Sequence, residues 1–323
     1  MRSFLVVAPN WIGDALMAQP LLARLREKLG AVRIDVLAPP WVTAVMRRMP
    51  GIDEVVEAPF RHGALELKAR WRLGRSLAPR GYGQAIVLPN TWKSALVPFF
   101  ADIPVRSGYV GESRYGLLNL LYKPAPGRAP MALHYARLAE APGTEPAAPL
   151  PDPVLRADPA AARATAARFG LPDGYAVFCP GAEYGPAKRW PRFAELAGSS
   201  PLPVILLGSA SDREACEGIA GRNLAGETTL DEAIDLVAGA AHVVTNDSGL
   251  MHVAAALGRP QVALFGSSSP EHTPPLSAAA RVVWLRPDCS PCFERTCPLG
   301  HFRCMNELTP ERVRAEIAQL PGC

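Results

Sequence analysis

The sequence has no apolar run long enough to cross a lipid bilayer. A membrane-spanning helix needs roughly 18 or more consecutive apolar residues, whereas the apolar opening, Phe4–Ala8, runs straight into Pro9 and Asn10. The same stretch is too short for the apolar region of a secretory signal peptide. We therefore expect a cytoplasmic protein, in which the seven cysteines are thiols or metal ligands rather than disulfides.

The sequence also lacks a strong excess of charge of either sign. Its 34 Lys and Arg residues stand against 30 Asp and Glu residues, which gives a formal net charge of +4 at pH 7. This balance is compatible with an anionic substrate, but it is too small to indicate a nucleic-acid partner. An ordinary soluble surface has a similar balance, so charge alone identifies no ligand.

A dinucleotide-binding fingerprint is missing as well. That fingerprint places a Gly-x-Gly turn directly after a strand, whereas the one Gly-x-Gly of the chain, at Gly81 and Gly83, precedes a predicted strand. This order argues against a nicotinamide-dependent dehydrogenase.

What the sequence does contain is an alternation of short β-branched runs with helical patterns, which is typical of parallel βαβ units. A proline-rich stretch, 123–173, separates two such series. We therefore predict an α/β protein of two domains, 1–157 and 158–323, with a final helix opening at Thr309-Pro310. Ligand is expected in a cleft between the domains, at the carboxyl ends of the strands. The predicted strands are Phe4–Ala8, Val32–Leu37, Gln84–Leu88, Ala176–Cys179, Val204–Leu207, His242–Thr245 and Gln261–Phe265.

The loop after the first predicted strand ends in Gly13 and Asp14, where a helix over Ala15–Leu29 is predicted to begin. Glycine lets the backbone turn tightly and approach a ligand. Asp14 has two interpretations. It is either a helix cap, for which aspartate is a preferred residue, or a carboxylate at the mouth of the cleft.

The loop after Cys179 is rich in glycine and proline and ends in Lys188. Backbone N–H groups around a turn, together with one ammonium group, suit a phosphate. The alternative interpretation is a surface loop with a solvated lysine.

A third loop joins the predicted strand His242–Thr245 to a helix. The N–H groups of Ser248 and Gly249, in the first turn of that helix, would form an anion site. A phosphate would repel Asp247, whose carboxylate suits sugar hydroxyls better. His252 lies one helical turn beyond Ser248 and faces the same side, although a lone histidine of this kind is often structural.

These three segments together resemble one family. Asn10–Asp14, Pro180–Pro191 and Thr245–Leu257 look like the lipopolysaccharide heptosyltransferases of glycosyltransferase family 9, in the same order and across nearly the whole chain. Segments 62–66, 88–100 and 114–119 are similar to the members that add the second heptose. The absence of any Asp-x-Asp triplet agrees with this resemblance, since it argues against the metal-binding carboxylate motif of the other large glycosyltransferase fold.

The resemblance implies a GT-B fold, with two Rossmann-like domains facing each other across a cleft. The first domain would bind the acceptor and the second would bind ADP-L-glycero-β-D-manno-heptose. It further implies inverting transfer in a single displacement to the first heptose of the lipopolysaccharide inner core, without a cofactor for catalysis.

The resemblance also implies roles for individual residues. Asp14 would be the general base, which fits a carboxylate that is ionised at neutral pH. Lys188 would offset the charge that grows on the departing ADP. Asp212 would lie near the ribose and Thr228 near the adenine. The full set of implied donor contacts is Lys188, Glu183, Tyr184, Asp212, Thr228, Asn246, Asp247, Ser248, Gly249 and His252.

Inner-core lipopolysaccharide carries Kdo carboxylates and lipid A phosphates, so the acceptor surface should be basic. The candidates are Arg61, Lys93, Arg106 and Arg114, with Trp92, Phe99 and Phe100 interleaved. The alternative is a solvated face over core aromatics. A lipid-linked acceptor would bring a cytoplasmic protein, as a peripheral one, to the inner membrane.

Four cysteines form a separate cluster, Cys289, Cys292, Cys297 and Cys304, with His301 among them. In a cytoplasmic protein this spacing is compatible with a tetrahedral zinc ion, which would be structural. Free thiols or a redox pair are the alternatives.

Two other functions remain open at this point. A sugar-nucleotide epimerase, or a binder that transfers nothing, could use the same fold, and so could another heptosyltransferase of the family. Asp14 separates the first two from a transferase, since an epimerase would need further acid and base residues in the cleft.

Overall fold

The computed structural model describes residues 2–61 and 63–322, so His62 of the family-like segment 62–66 lies outside the described part. The chain divides into two compact units, Met1–Pro151 and Asp152–Cys323. The predicted boundary after residue 157 is therefore too late. Segment 152–157 lies with the second unit because Leu155 is buried there and its N–H donates to the Ala256 carbonyl at 2.8 Å.

The described part of the first unit forms one parallel sheet of six strands in the order β3-β2-β1-β4-β5-β6. The strands are β1 (Ser3–Val7), β2 (Arg33–Ala38), β3 (Glu54–Glu57), β4 (Gln84–Val87), β5 (Val105–Tyr109) and β6 (Leu120–Tyr122). The helices are α1 (Ile12–Met17), α2 (Gln19–Leu29), α3 (Pro40–Arg48), α4 (Leu67–Leu77), α5 (Leu96–Phe100) and α6 (Met131–Ala136).

The central strands of this sheet are apolar and buried, as expected where helices cover both faces of a parallel sheet. Val6 of β1 pairs with Val36 on one side and with Ile86 on the other. The predicted helix 15–29 is wrong in two respects: the helical segment begins three residues earlier, at Ile12, and the chain interrupts it at Ala18 and starts α2 at Gln19. Pro20 lies in the first turn of α2, where a proline costs least, whereas a continuous helix would lose a hydrogen bond at that residue.

The second unit, in its described residues, forms another parallel sheet of six strands in the order β12-β11-β10-β7-β8-β9. The strands are β7 (Ala176–Cys179), β8 (Val204–Leu206), β9 (Arg222–Asn223), β10 (His242–Asn246), β11 (Gln261–Phe265) and β12 (Ala280–Trp284). The helices are α7 (Pro159–Arg168), α8 (Phe193–Gly198), α9 (Leu230–Gly239), α10 (Gly249–Ala256), α11 (Arg303–Asn306) and α12 (Pro310–Ile317). Thr309 caps α12, as predicted, by accepting the Arg312 N–H.

Each sheet has one point at which the strand order reverses. The reversal falls between β1 and β4 in the first unit and between β7 and β10 in the second. In open α/β sheets, ligands bind at such a point, outside the carboxyl ends of the two strands. The loops that follow β1, β4, β7 and β10 are therefore the places to look for a site.

None of the helices within residues 2–61 and 63–322 combines the length and the apolar character needed to cross a membrane.

Candidate active site

Asp14 is the third residue of α1, just beyond the carboxyl end of β1. The N-cap of that helix is Trp11, which makes no side-chain capping bond. The interpretation of Asp14 as the helix cap is therefore wrong. A carboxylate in the first turn is nevertheless favoured by the helix dipole. Its Oδ1 accepts a hydrogen bond from the hydroxyl of Tyr135 on α6 at 3.1 Å.

The hydroxyl of Tyr135 stays protonated and therefore donates to this carboxylate at neutral pH. Burial, followed by the charge of Asp14, holds the pKa of Tyr135 well above its ordinary value of 10. The phenol is therefore protonated at neutral pH. It holds one carboxylate oxygen of Asp14 at a defined position in the first unit.

A pocket of about 200 Å³ lies at the carboxyl edge of the first sheet. Its lining includes Asn10, from the loop that leads to Asp14, together with Arg61, Arg70, Lys93 and Trp41. Lys93 donates to the Gly63 carbonyl at 2.7 Å. The exposed Arg61 pairs with Glu66 at 3.1 Å. Two predicted acceptor contacts thus share one pocket.

The other two predicted acceptor contacts have structural roles instead. Arg114 is only 1% exposed and donates to the carbonyls of Tyr109 and Pro89 at 2.7 and 2.6 Å. Arg106 donates to the carbonyls of Ile103 and Leu117, both at 2.6 Å. Arg114 is buried, and all three guanidinium nitrogens of Arg106 donate to backbone carbonyls. The structure therefore argues against the predicted acceptor contact for both residues.

In the second unit, Lys188 and Asp247 meet at the reversal point of the sheet. Lys188 Nζ lies 2.5 Å from Asp247 Oδ2, and the two side chains are 15% and 5% exposed. Lys188 ends the short 3-10 turn Pro186–Lys188 after β7, whereas Asp247 directly follows β10. The lysine is held by a buried partner, so it is not the freely solvated side chain of the alternative interpretation.

The start of α10 lies beside this ion pair. Ser248 is its N-cap and Gly249 its first residue, and both are half-buried. His252 is buried one turn further on, and burial lowers its pKa to about 4. The imidazole is therefore neutral at physiological pH. It can act as a single hydrogen-bond donor and acceptor, but not as a cation for phosphate.

Asn246 and Asp212 are both buried. Asn246 accepts the Trp190 N–H at 3.1 Å and donates to the Pro180 carbonyl at 2.7 Å. It thereby fixes the loop after β7, and its contact with the donor stays a prediction. Asp212 accepts the N–H of Ser209 at 3.0 Å through Oδ2. Its Oδ1 is buried without a hydrogen-bond partner in the described part of the chain.

Three further predicted donor contacts lie on loops. Glu183 is exposed on the loop after β7. Tyr184, also on that loop, is 38% exposed. The Tyr184 hydroxyl donates to the Phe293 carbonyl at 2.5 Å, and Lys188 Nζ lies 4.8 Å from the centre of the tyrosine ring. Thr228 is half-buried, one residue before the N-cap of α9.

Comparison with known proteins shows the family. The sequence profile of glycosyltransferase family 9 (heptosyltransferase) matches residues 70–303. Lipopolysaccharide heptosyltransferase 2 of Salmonella typhimurium is 44% identical, over 98% of this chain and 97% of that protein. The Escherichia coli K12 protein of the same name is also 44% identical, over 98% of this chain and 97% of its own. The chain belongs to glycosyltransferase family 9.

Solved structures agree with this membership. The structure of E. coli ADP-heptose LPS heptosyltransferase II has a TM-score of 0.86 at 41% identity and covers 99% of both chains. A family 9 protein from Veillonella parvula has a TM-score of 0.83 at 19% identity over 98% of both chains, a likeness that shows the fold alone. The predicted GT-B fold and glycosyltransferase activity are confirmed. The same comparisons support sugar transfer over epimerisation or simple binding.

Sequence reasoning missed the hydroxyl that contacts Asp14 and two buried serines after β11. Tyr135, on Asp14, is 121 positions away in the chain and has no local motif. Ser267 and Ser268 follow β11, and their buried hydroxyls have no hydrogen-bond partner within the described residues. A Gly-Ser-Ser-Ser run directly after a predicted strand was the available signal for these two.

The cysteine cluster forms a compact segment of the second unit. Cys289, Cys292, Cys297 and Cys304 line one small pocket with His301. Cys297 Sγ accepts the Phe302 N–H at 3.4 Å. Among the backbone hydrogen bonds to this thiol, that bond lowers its pKa the most. Even so, no group of three or more His, Cys, Asp or Glu side chains in residues 2–61 and 63–322 is arranged to hold a metal ion.

Proposed function

We propose that the protein transfers L-glycero-D-manno-heptose from ADP-heptose to the first heptose of the lipopolysaccharide inner core, with inversion at the anomeric carbon. The observation that carries this proposal is the 44% identity to lipopolysaccharide heptosyltransferase 2 over 98% of the chain. The ionisable side chains at the reversal points of the two sheets support it.

Asp14 is the proposed general base. As the acceptor hydroxyl oxygen bonds to the anomeric carbon, the carboxylate takes up its proton. The bond from that carbon to the ADP oxygen breaks, and the electron pair leaves with ADP. A positioned base of this kind accelerates a reaction by roughly 10²–10⁴-fold.

Lys188 is the proposed cation for the donor pyrophosphate. Asp247 holds the ammonium group at 2.5 Å, in a partly buried setting where charge interactions are stronger than in water. The N–H groups at the start of α10 add a second source of positive potential. We propose that catalysis needs no cofactor, because these groups can stabilise the departing ADP.

The test is incubation with ADP-heptose and a truncated core acceptor that carries one heptose, followed by mass spectrometry. We expect the acceptor to gain the mass of one heptose and ADP to be released in equal amount. An acceptor without that first heptose is the matched control and should stay unchanged. Conversion of ADP-heptose to an isomer, or its hydrolysis without transfer, would contradict the proposal.

The proposed place of action is the cytoplasmic face of the inner membrane, where a lipid-linked acceptor is presented. Sedimentation with membranes that carry the acceptor, compared with membranes from cells that lack inner-core heptose, tests this placement. Recovery of all the protein in the soluble fraction from both membranes would contradict it.

A structural zinc ion at Cys289, Cys292, Cys297 and Cys304 is a separate proposal. It is supported by the cysteine spacing, the shared pocket and the hydrogen-bonded thiol of Cys297. Zinc binding would require these side chains to change position, since no three of them in the described part of the chain are arranged to hold a metal ion. Elemental analysis should find about one equivalent of zinc, and Cys292→Ser should lose it with some stability. The proposal would be contradicted if the purified protein contained no zinc and Cys292→Ser had the same melting temperature as the wild type.

A further inference from the structure

Helix α4 has two chemically different faces. Its buried face packs tightly against α5, since a Cβ atom at Gly74 would lie 2.5 Å from Phe100 Cβ. Arg70 on the same face donates to the carbonyls of Leu65 and Lys93 at 2.6 and 3.3 Å. The helix is therefore fixed to the first unit by one side, and its other side is presented outward as a rigid surface.

The outward side combines apolar and cationic side chains. Leu67 and Trp71 are each 49% exposed and lie one helical turn apart. Lys68, Arg72 and Arg75 are exposed beside them. We call these five residues the α4 face. Large apolar side chains next to several cations on one helix are typical of a surface that binds a protein partner or a membrane.

The sequence around the α4 face is rich in positive charge, which Asp102 offsets only at Arg75. The chain has no Asp or Glu between Glu66 and Asp102, although this stretch contains Lys68, Arg70, Arg72, Arg75, Arg80 and Lys93. Arg75 pairs with Asp102 at 2.5 Å, whereas Lys68 and Arg72 carry their charges on exposed side chains. A second copy of the same face would place like charges against each other, which disfavours a symmetric dimer through this helix.

We propose that the α4 face docks on a bilayer that contains anionic phospholipid. Lys68, Arg72 and Arg75 meet the lipid phosphates, while Trp71 and Leu67 enter the headgroup region, where tryptophan is enriched in membrane-bound proteins. A nucleic acid would match the cations but not the two apolar side chains beside them. Docking of this kind is independent of the lipid-linked acceptor, so it goes beyond the proposed function.

The experiment is co-sedimentation of the full chain with vesicles that lack any acceptor. We expect binding to vesicles of phosphatidylethanolamine with phosphatidylglycerol, weaker binding as salt rises, and little binding to phosphatidylcholine alone. Each basic residue at an anionic surface contributes roughly fivefold in affinity, so Lys68→Ala/Arg72→Ala should weaken binding by roughly 25-fold. Trp71→Ser, which changes no charge, should weaken binding too.

The matched control is Arg163→Ala/Arg312→Ala, which removes the same charge from exposed helical positions of the second unit. This control should bind as the wild type does, and all variants should keep the wild-type melting temperature and turnover on a soluble acceptor fragment. Equal binding of the Lys68→Ala/Arg72→Ala variant and the wild type would overturn the proposal. Absence of vesicle binding by the wild type would also overturn it. Binding of a random-sequence oligonucleotide without vesicle binding would show that the α4 face recognises nucleic acid instead.

Discussion

Asparagine has nearly the same shape as aspartate, so the substitution Asp14→Asn isolates the chemistry of one residue. The amide cannot take up the proton of the acceptor hydroxyl, and we expect kcat to fall by roughly 10²–10⁴-fold. Donor affinity, measured by calorimetry, should change little because Asp14 belongs to the first unit. Asp173→Asn, in an exposed loop, is the control and should have normal turnover. A near-normal kcat for Asp14→Asn would remove this residue from the mechanism.

His252 links stability to pH through its burial. Its pKa falls from 6.5 in the unfolded chain to about 4 in the folded protein, so the unfolded state binds the proton more readily. The free energy of unfolding should therefore fall as pH drops from 6.5 to about 4, by an amount on the order of 3 kcal/mol. Above pH 6.5 this contribution is fully present.

Denaturant midpoints across this pH interval measure the effect. His252→Gln cannot be protonated, so its stability should fall less steeply between pH 6.5 and about 4 than that of the wild type. Parallel pH dependences for the two proteins would show that His252 does not carry this link.

At the scale of elements, the contact between α6 and α1 joins Tyr135 to Asp14. Tyr135→Phe removes only the hydroxyl that donates to Asp14 Oδ1 at 3.1 Å. We expect kcat to fall roughly tenfold, with both KM values little changed, since small misplacements of a catalytic group are costly. Tyr122→Phe is the matched control, because that buried hydroxyl donates to the Glu140 carbonyl at 2.6 Å.

A double-mutant cycle separates positioning from a general structural effect. If Tyr135 acts through Asp14, then Tyr135→Phe should change kcat very little in the Asp14→Asn background. The same tenfold loss in both backgrounds would show that Tyr135 supports the fold and does not position the base.

The sequence predicted the elements that bear strong local patterns. All the predicted strands are present within one residue at each end, because continuous apolar runs are the signature of buried parallel strands. Strands β3, β5, β6, β9 and β12 were not predicted. Most of them are short or contain charged residues, as in Glu54–Glu57 and Arg222–Asn223, and depend on their neighbours in the sheet. Helix α6 lies in the proline-rich stretch between the two predicted series of βαβ units. The residue that contacts Asp14 therefore lies where the local pattern is weakest.

Burial is the property that the sequence predicted least well. Arg106 and Arg114 look like surface cations in the sequence, yet their guanidinium groups satisfy backbone carbonyls inside the first unit. Asn246 likewise fixes a loop. Such roles depend on contacts between residues far apart in the chain, for which a single sequence contains no periodic signal. Lys188 and Asp247, by contrast, were predictable because both lie on loops that follow strong strands.

At the scale of the whole molecule, both units follow the same topological rule. Each parallel sheet reverses its strand order once, and Asp14, Lys93, Lys188 and Asp247 each follow a strand at that reversal. The two units nevertheless present different chemistry there. The first offers a carboxylate and a pocket lined by three basic side chains, while the second offers a lysine held by a buried aspartate and the start of a helix. This difference is the basis on which we propose that the first unit binds the acceptor and the second binds the donor.

The basic pocket of the first unit gives the last prediction. Arg61 and Lys93 line it, and the ion pair of Arg61 with Glu66 is exposed and therefore weak. Both cations remain able to meet the carboxylates and phosphates of an anionic acceptor. Arg61→Ala and Lys93→Ala should each raise the acceptor KM several-fold, leave donor affinity unchanged and reduce the salt sensitivity of the rate. Arg163→Ala in the second unit is the control. If both variants keep the wild-type acceptor KM at low salt, the acceptor binds elsewhere and the pocket has no part in recognising it.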